Sequence, residues 1–266
     1  MPPFTATNLR DSPPDMIDAA YFSRLCAEAA NAAAPQGGGI NTLAEKRLHR
    51  VLKSYYEADE TRHEQKVGSY IADILRENEI VEIQTGGLYP LKDKIAFYLR
   101  ETDYRVTVVH PIFVRKWILW VDPVDGSLSP RHRSPKKGRL IDEADELIYF
   151  ADLLPSDRLQ FVFPLLEVED YRLLNGWSHD RKRGSVRCER IPLALLGEEV
   201  LREQKDFAAL LPDGLPACFT AREFAAECRL TSRQSYTVIK LFCALGLLQP
   251  AEPQGRSRTW SIVRNM

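Results

Sequence analysis

From Thr42 to Glu57 the apolar positions Leu48, Val51, Leu52 and Tyr55 recur at three- and four-residue spacing, which lines one face of an α-helix. Past Glu57 the period changes. Glu64 to Val67, Tyr70 to Leu75 and Ile80 to Thr85 predict three short strands. Gly86-Gly87 and Pro90 then break the chain. Pro90 suits the first turn of a helix, where its missing N–H has no partner to lose, and Leu91, Ile95, Tyr98 and Leu99 give that helix an apolar side. Tyr104 to Ile112 is β-branched and apolar, as in a strand buried on both faces. The predicted order is helix, three strands, helix, strand.

The pattern is thinner on either side of this block. Residues 1–40 combine Pro2, Pro3, Pro13, Pro14 and the run Gln36 to Gly39 with an Ala-rich stretch, and predict a flexible tail around a short helix. Phe113 to Val121 predicts a hairpin turning at Asp125-Gly126, followed by a basic loop from Arg131 to Arg139, an acidic helix near Asp142 to Leu153 and a strand near Leu159 to Val168. A second basic cluster, Arg181, Lys182 and Arg183, precedes a domain boundary placed near Gly197. Beyond it, Glu198 to Leu210, Ala221 to Leu230 and Ser232 to Leu245 have helical spacing, the last two separated by a short turn. Leu247-Leu248 and Thr259 to Val263 can then pair as a hairpin tipped by Gln254 to Arg258. The expected organisation is an α+β fold: a tail (1–40), a mixed-sheet domain (41–196) and a small C-terminal domain (197–266).

Composition narrows the function classes. A formal charge of −1 over 266 residues supplies no general attraction to polyanions, so nucleic-acid contact has to come from local patches. Five scattered cysteines form no CxxC pair, which argues against structural zinc; with no apolar leader or membrane-length apolar run, the expectation is a reducing, cytoplasmic setting and no membrane partner. Neither GxGxxG nor GxxxxGK[ST] occurs, which removes the usual nucleotide-binding loops.

The candidate chemistry lies in Tyr70 to Gln84. If the hairpin turns on Glu77-Asn78, paired residue numbers sum to 155, so Asp73 stands opposite Glu82 on one face with Gln84 two residues on. Facing carboxylates repel, and a divalent cation between them relieves this; oxygen donors suit magnesium or manganese. The plain alternative is a solvated face of an antiparallel sheet. Asp73 followed by Glu82-Ile83-Gln84, behind a Glu-bearing helix, resembles the PD-(D/E)XK nuclease superfamily. The resemblance implies a restriction-endonuclease-like core of helix, three strands, helix and strand, and assigns metal binding to Asp73 and Glu82. Glu45 is similar to the additional acid of Holliday-junction-resolvase-like members, although Thr42 to Glu45 also spells a capping box. The family's lysine is replaced by Gln84, a candidate for orienting water, and Lys94, or else Lys92, on the next helix is the candidate substitute.

Over about its last fifty residues the chain resembles winged-helix domains. From Pro216 to Met266 it has seven Lys/Arg against three Glu. With Val238, Leu241, Phe242 and Leu245 packing inward, the last helix offers Arg233, Gln234, Thr237 and Lys240 to a groove, and Arg256 and Arg258 suit phosphates, as do Arg181, Lys182 and Arg183. Trp117 to Pro123 and Trp177 to Gly184 also resemble segments of uncharacterised bacterial proteins. The function expected is a magnesium- or manganese-dependent DNA endonuclease, with a homodimer left open. The alternatives are an inactive nuclease-like DNA-binding regulator and a protein-interaction module.

Overall fold

The computed structural model describes residues 18–31, 40–173 and 186–263, leaving aside the side chains of residues 31, 40–46 and 186–188. The fold is α+β, built on one mixed sheet. The first helices are α1 (Ala19–Asn31) and α2 (Ile40–Tyr56). Strands β1 (His63–Val67), β2 (Tyr70–Leu75) and β3 (Glu79–Ile83) follow, then α3 (Lys92–Glu101) and β4 (Arg105–Val109), in the order expected. Pro90 lies in a 3₁₀ turn, Tyr89–Leu91, that leads into α3.

β1, β2 and β3 are antiparallel neighbours, whereas β4 runs parallel to β3. The predicted strand at Tyr104 to Ile112 divides into β4 and the start of β5 (Ile112–Val121). β7 (Leu159–Leu173) pairs in parallel with both: Val106 faces Leu159 and Ile112 faces Leu165, the same offset of 53 residues. β4 and β5 are therefore one line of chain interrupted at His110-Pro111. His110 N–H reaches the Val162 carbonyl at 2.9 Å, so the next N–H along would point the other way, toward the edge that β3 has already left. Proline is tolerated there because no rung is lost. β6 (His132–Arg133) extends β5, and β8 (Val186–Leu201) covers the outer edge of β7.

Alternation along the strands makes two cores. Phe22 of α1 and Leu48, Val51, Leu52 and Tyr55 of α2 bury against Ile74, Val81, Ile83, Val109, Val162 and Leu166. On the opposite face, Ile95 and Tyr98 of α3 and Leu147 of the one-turn helix α4 (Ala144–Leu147) pack on Ile80, Val106, Val108 and Phe161. The segment read as tail thus contains a packed helix: Phe22 is fully buried. The remainder of that segment lies outside the described residues, as do Arg181, Lys182 and Arg183. The acidic segment is two 3₁₀ turns around α4 in place of one helix.

Two expectations in the C-terminal third are corrected. Gly197 lies inside β8, opposite Leu165, and Glu198 to Leu201 continue as strand instead of starting a helix. Leu201, Val200, Glu199 and Glu198 pair in register with Phe161 to Pro164 of β7, and of these four only Leu201 is buried, so the strand end offers no apolar stripe to distinguish it from a helix start. Helix α5 (Gln204–Ala208) begins only after that. Next come β9 (Phe219–Thr220), α6 (Ala221–Cys228), α7 (Ser232–Ala244), β10 (Leu248–Gln254) and β11 (Ser257–Ile262). Phe207, Phe219, Phe224 and Phe242 join the same core as α3 and α4, so the small unit is fused to the sheet layer.

The far half of the sheet holds a buried ion pair. Asp170 is fully buried on β7, and Arg190 of β8 bonds it at 2.7 Å while its guanidinium lies 3.8 Å from the Phe113 ring centre. Removing one partner leaves an uncompensated buried charge, so Asp170→Ala is expected to cost about 3–5 kcal/mol. Urea unfolding checks this, with Glu77→Ala on the exposed hairpin turn expected to stay within about 0.5 kcal/mol.

Candidate active site

The β2–β3 hairpin sets the site. Ile74 faces Val81 and Leu75 faces Ile80, and Arg76 N–H closes the turn on the Glu79 carbonyl at 2.8 Å. These pairs sum to 155, the register expected. The ladder ends at Ile74. At the next rung the Asp73 carboxylate, through Oδ2, accepts the Ile83 N–H at 2.8 Å, standing where a main-chain carbonyl would otherwise be. The strand rotates at this point: Ala72 packs in the α3-side core and Ile74 in the α2-side core, although residues two apart in a regular strand share a face.

That rotation alters the expected picture of two acids side by side on one face. Asp73 turns toward α2, where His49 Nε2 lies 3.3 Å from Oδ2. Glu82 turns under α3, where Lys94 Nζ bonds Oε2 at 2.5 Å and the Tyr98 hydroxyl donates to Oε1 at 3.2 Å. Burial works to raise the Asp73 pKa, but the hydrogen bond and charge of His49, the Ile83 N–H and the charge of Lys94 together hold it below the ordinary value. Burial pushes Glu82, only 1% exposed, up to about 7; Lys94 opposes this and the charge of Asp73 adds to it. The two carboxylates therefore sense each other electrostatically, with Lys94 acting on both.

Among the proposed site residues, the structure gathers Asp73, Glu82 and Lys94. The Gln84 side chain is directed to the Gly87 carbonyl at 2.7 Å, and its own carbonyl receives His110 Nδ1 at 2.7 Å. Lys92 bonds Asp152 on the outer side of α3. Glu45 lies in α2 with its side chain outside the described set. His49 was missed. It stands four residues after Glu45 and four before Lys53, so the three share one helical stripe, a spacing that could have exposed it. Lys53 pairs at 2.7 Å with Glu64, whose backbone sits at φ 52°, a region costly for a glutamate.

Among the described residues no three His, Cys, Asp or Glu converge as a metal cage. Two carboxylates meet the demand of magnesium, which is commonly held by one or two protein carboxylates with water and phosphate filling the rest.

In the C-terminal unit, Thr220 with Glu223 caps α6 and Thr231 with Gln234 caps α7, each as a capping box. Arg229, at φ 52°, ends α6 and turns the chain into α7. Val238, Leu241 and Phe242 are buried as expected, together with Ile239. Arg233, Lys240, Arg256 and Arg258 are exposed. Gln234 is the exception, because its side-chain oxygen accepts from both the N–H and the hydroxyl of Thr231. β10 and β11 form the expected hairpin, turning at Gly255, and β11 also pairs with β9.

The model of a protein family described as a domain of unknown function, DUF8091, matches residues 46–202. The chain belongs to the DUF8091 family. The matched segment contains His49, Asp73, Glu82 and Lys94 and every strand of the large sheet, and it ends before α5. An uncharacterized protein of Treponema pallidum (strain Nichols) is 26% identical over 227 residues, which cover 83% of this chain and 86% of its own length. No solved structure matches. No helix among the described residues is long and apolar enough to cross a membrane.

The raised Glu82 pKa has a definite sign in the DUF8091 core. Its neutral form suits the folded state, so its contribution is fully present below about 4.5 and is lost as pH rises through about 7. Glu82→Gln should therefore gain thermal stability relative to the natural chain as pH rises across that window in metal-free buffer. A constant difference in melting temperature between the two proteins would refute this.

Proposed function

We propose that this chain is a divalent-metal-dependent endodeoxyribonuclease of PD-(D/E)XK type whose C-terminal unit, a winged-helix-like module, docks the DNA. The observation that carries the reading is the break in the β2–β3 ladder. There, acids from two neighbouring strands, Asp73 held by the Ile83 N–H and Glu82 bonded by Lys94 of the following helix, lie within electrostatic reach of one another. The order of α2, β1, β2, β3, α3 and β4 in a mixed sheet supports it, because the resemblance implies that sequence of elements.

In this reading Asp73 and Glu82 hold magnesium or manganese. The chemistry the ion supplies when bound is acidification of a water and neutralisation of charge on the leaving oxygen. Asp73, kept ionised, is oriented by His49 and the Ile83 N–H. Lys94 brings a cation to the place where the family's lysine is missing, and helps ionise Glu82 against its burial. Metal binding requires the deprotonated carboxylate, so occupancy should rise with pH. The basic residues of α7 and of the β10–β11 hairpin contact phosphates.

One observation favours a second reading. Glu82 is buried and already bonded by Lys94 and Tyr98, which suits a nuclease-like protein that binds DNA without cutting it.

Cleavage of branched, nicked and linear DNA with Mg²⁺ or Mn²⁺ separates the two. Asp73→Ala and Glu82→Ala should reduce cutting to background, and Lys94→Ala should lower it by roughly 100-fold or more. If the natural chain and the variants behave alike, the enzyme reading fails. For docking, Arg233→Ala and Lys240→Ala should each flatten the salt dependence of DNA affinity by about one unit of slope. An unchanged slope would make the C-terminal unit a protein-docking module.

A further inference from the structure

The outer face of α7 carries a residue that helix packing does not explain. Tyr236 is 57% exposed on a helix whose neighbouring large side chains, Val238, Ile239 and Phe242, are buried. Its ring is nonetheless held in place: Trp260 of β11 meets it edge to face, centroids 6.2 Å apart at 76°. Trp260 itself is half-buried against the core. The tyrosine is thus a braced ring presented to solvent.

Its surroundings are cationic. Arg233 lies three residues before Tyr236 and Lys240 four after it, on the same helical face, and Arg256 and Arg258 stand on the adjoining hairpin. All four are exposed, and none is in an ion pair among the described residues. Phosphates satisfy such cations on any nucleic acid, but they have no use for an aromatic face. In an intact duplex the faces of internal bases are hidden in the stack, and only edges and phosphates are offered. A base that has left the stack presents a face to stack on.

We infer that this surface holds DNA with unpaired bases, Tyr236 stacking on one base while the flanking cations take the phosphates. This rests on the reading of the C-terminal unit as a DNA-docking module and adds the form of DNA it selects: single-stranded, frayed or junction-like in preference to blunt duplex. Trp260 braces Tyr236, and the Arg233/Lys240 row sets the path of the backbone.

The test uses the full chain in EDTA and fluorescence anisotropy with three labelled DNAs: a single strand, its blunt duplex, and that duplex with a mismatched central bubble. The single strand and the bubble should bind about tenfold more tightly than the blunt duplex. Tyr236→Ala, which removes an exposed side chain and should leave the melting temperature in place, should erase that preference, and Tyr236→Phe should keep it. Lys240→Ala should weaken binding to all three alike. Equal affinity for all three DNAs, or a preference that survives Tyr236→Ala, overturns the stacking inference and leaves DNA docking intact. Binding to none of them overturns both.

Discussion

A single hydrogen bond organises the centre of this molecule: the Ile83 N–H is taken by the side chain of Asp73 instead of a backbone carbonyl. A ladder that ends this way has two effects. It satisfies a main-chain donor that would be costly to leave unpaired inside the sheet. It also lets β2 rotate away from β3, so that side chains from both helix layers reach the same rung. His49 arrives from α2 and Lys94 from α3, layers otherwise separated by the sheet. The unequal ionisation of Asp73 and Glu82 follows, since one acid has a backbone donor and partial solvent access while the other lies under Tyr98.

The hairpin register was legible because it depends on local rules: a two-residue turn and a period of two fix which residues oppose each other. The rotation at Asp73 was not legible, since it arises from a carboxylate competing with the backbone for one N–H, and no periodicity records that. His49 escaped notice for a related reason. A histidine on a polar helical stripe reads as solvated until the strand beneath it is known. Lys94 was visible because the lysine expected at Gln84 was missing, which directed attention to the next helix. At the C-terminus, helix caps spelled by Thr220/Glu223 and Thr231/Gln234 marked α6 and α7 correctly, whereas Glu198 to Leu201 carried enough helix-forming residues to conceal a strand end. Tyr236 was passed over because the heptad-like packing positions drew attention to the buried side of α7.

The C-terminal unit is not tethered by a linker. Phe207, Phe219, Phe224 and Phe242 share a core with Ile95 and Tyr98, and Arg139 from the large domain donates to the carbonyls of Cys228 and Arg229 at the end of α6. Helix α7 packs on α4 and the turn that follows it, and these share one core with Ile95 and Tyr98 of α3, the helix that carries Lys94. A nucleic acid bound at that face would lie at a fixed distance from the β2–β3 break, set by side-chain packing and not by chain flexibility.

The long sequence separation of β7 from β4 and β5 also bears on how the chain comes together. Every rung on that seam joins residues 52 or 53 positions apart, and β8 adds a further edge that is synthesised later still. During synthesis β4 and β5 emerge first, with an apolar edge, Val106 to Val109, that has no β7 to meet. Local hairpins such as β2–β3 can close within microseconds, but this seam pays a loop-closure cost first and belongs to the slow class of non-local pairings. Assembly of the molecule is therefore gated by its middle strand, and the interval before β7 arrives is when the nascent chain is most open to pairing with the wrong neighbour.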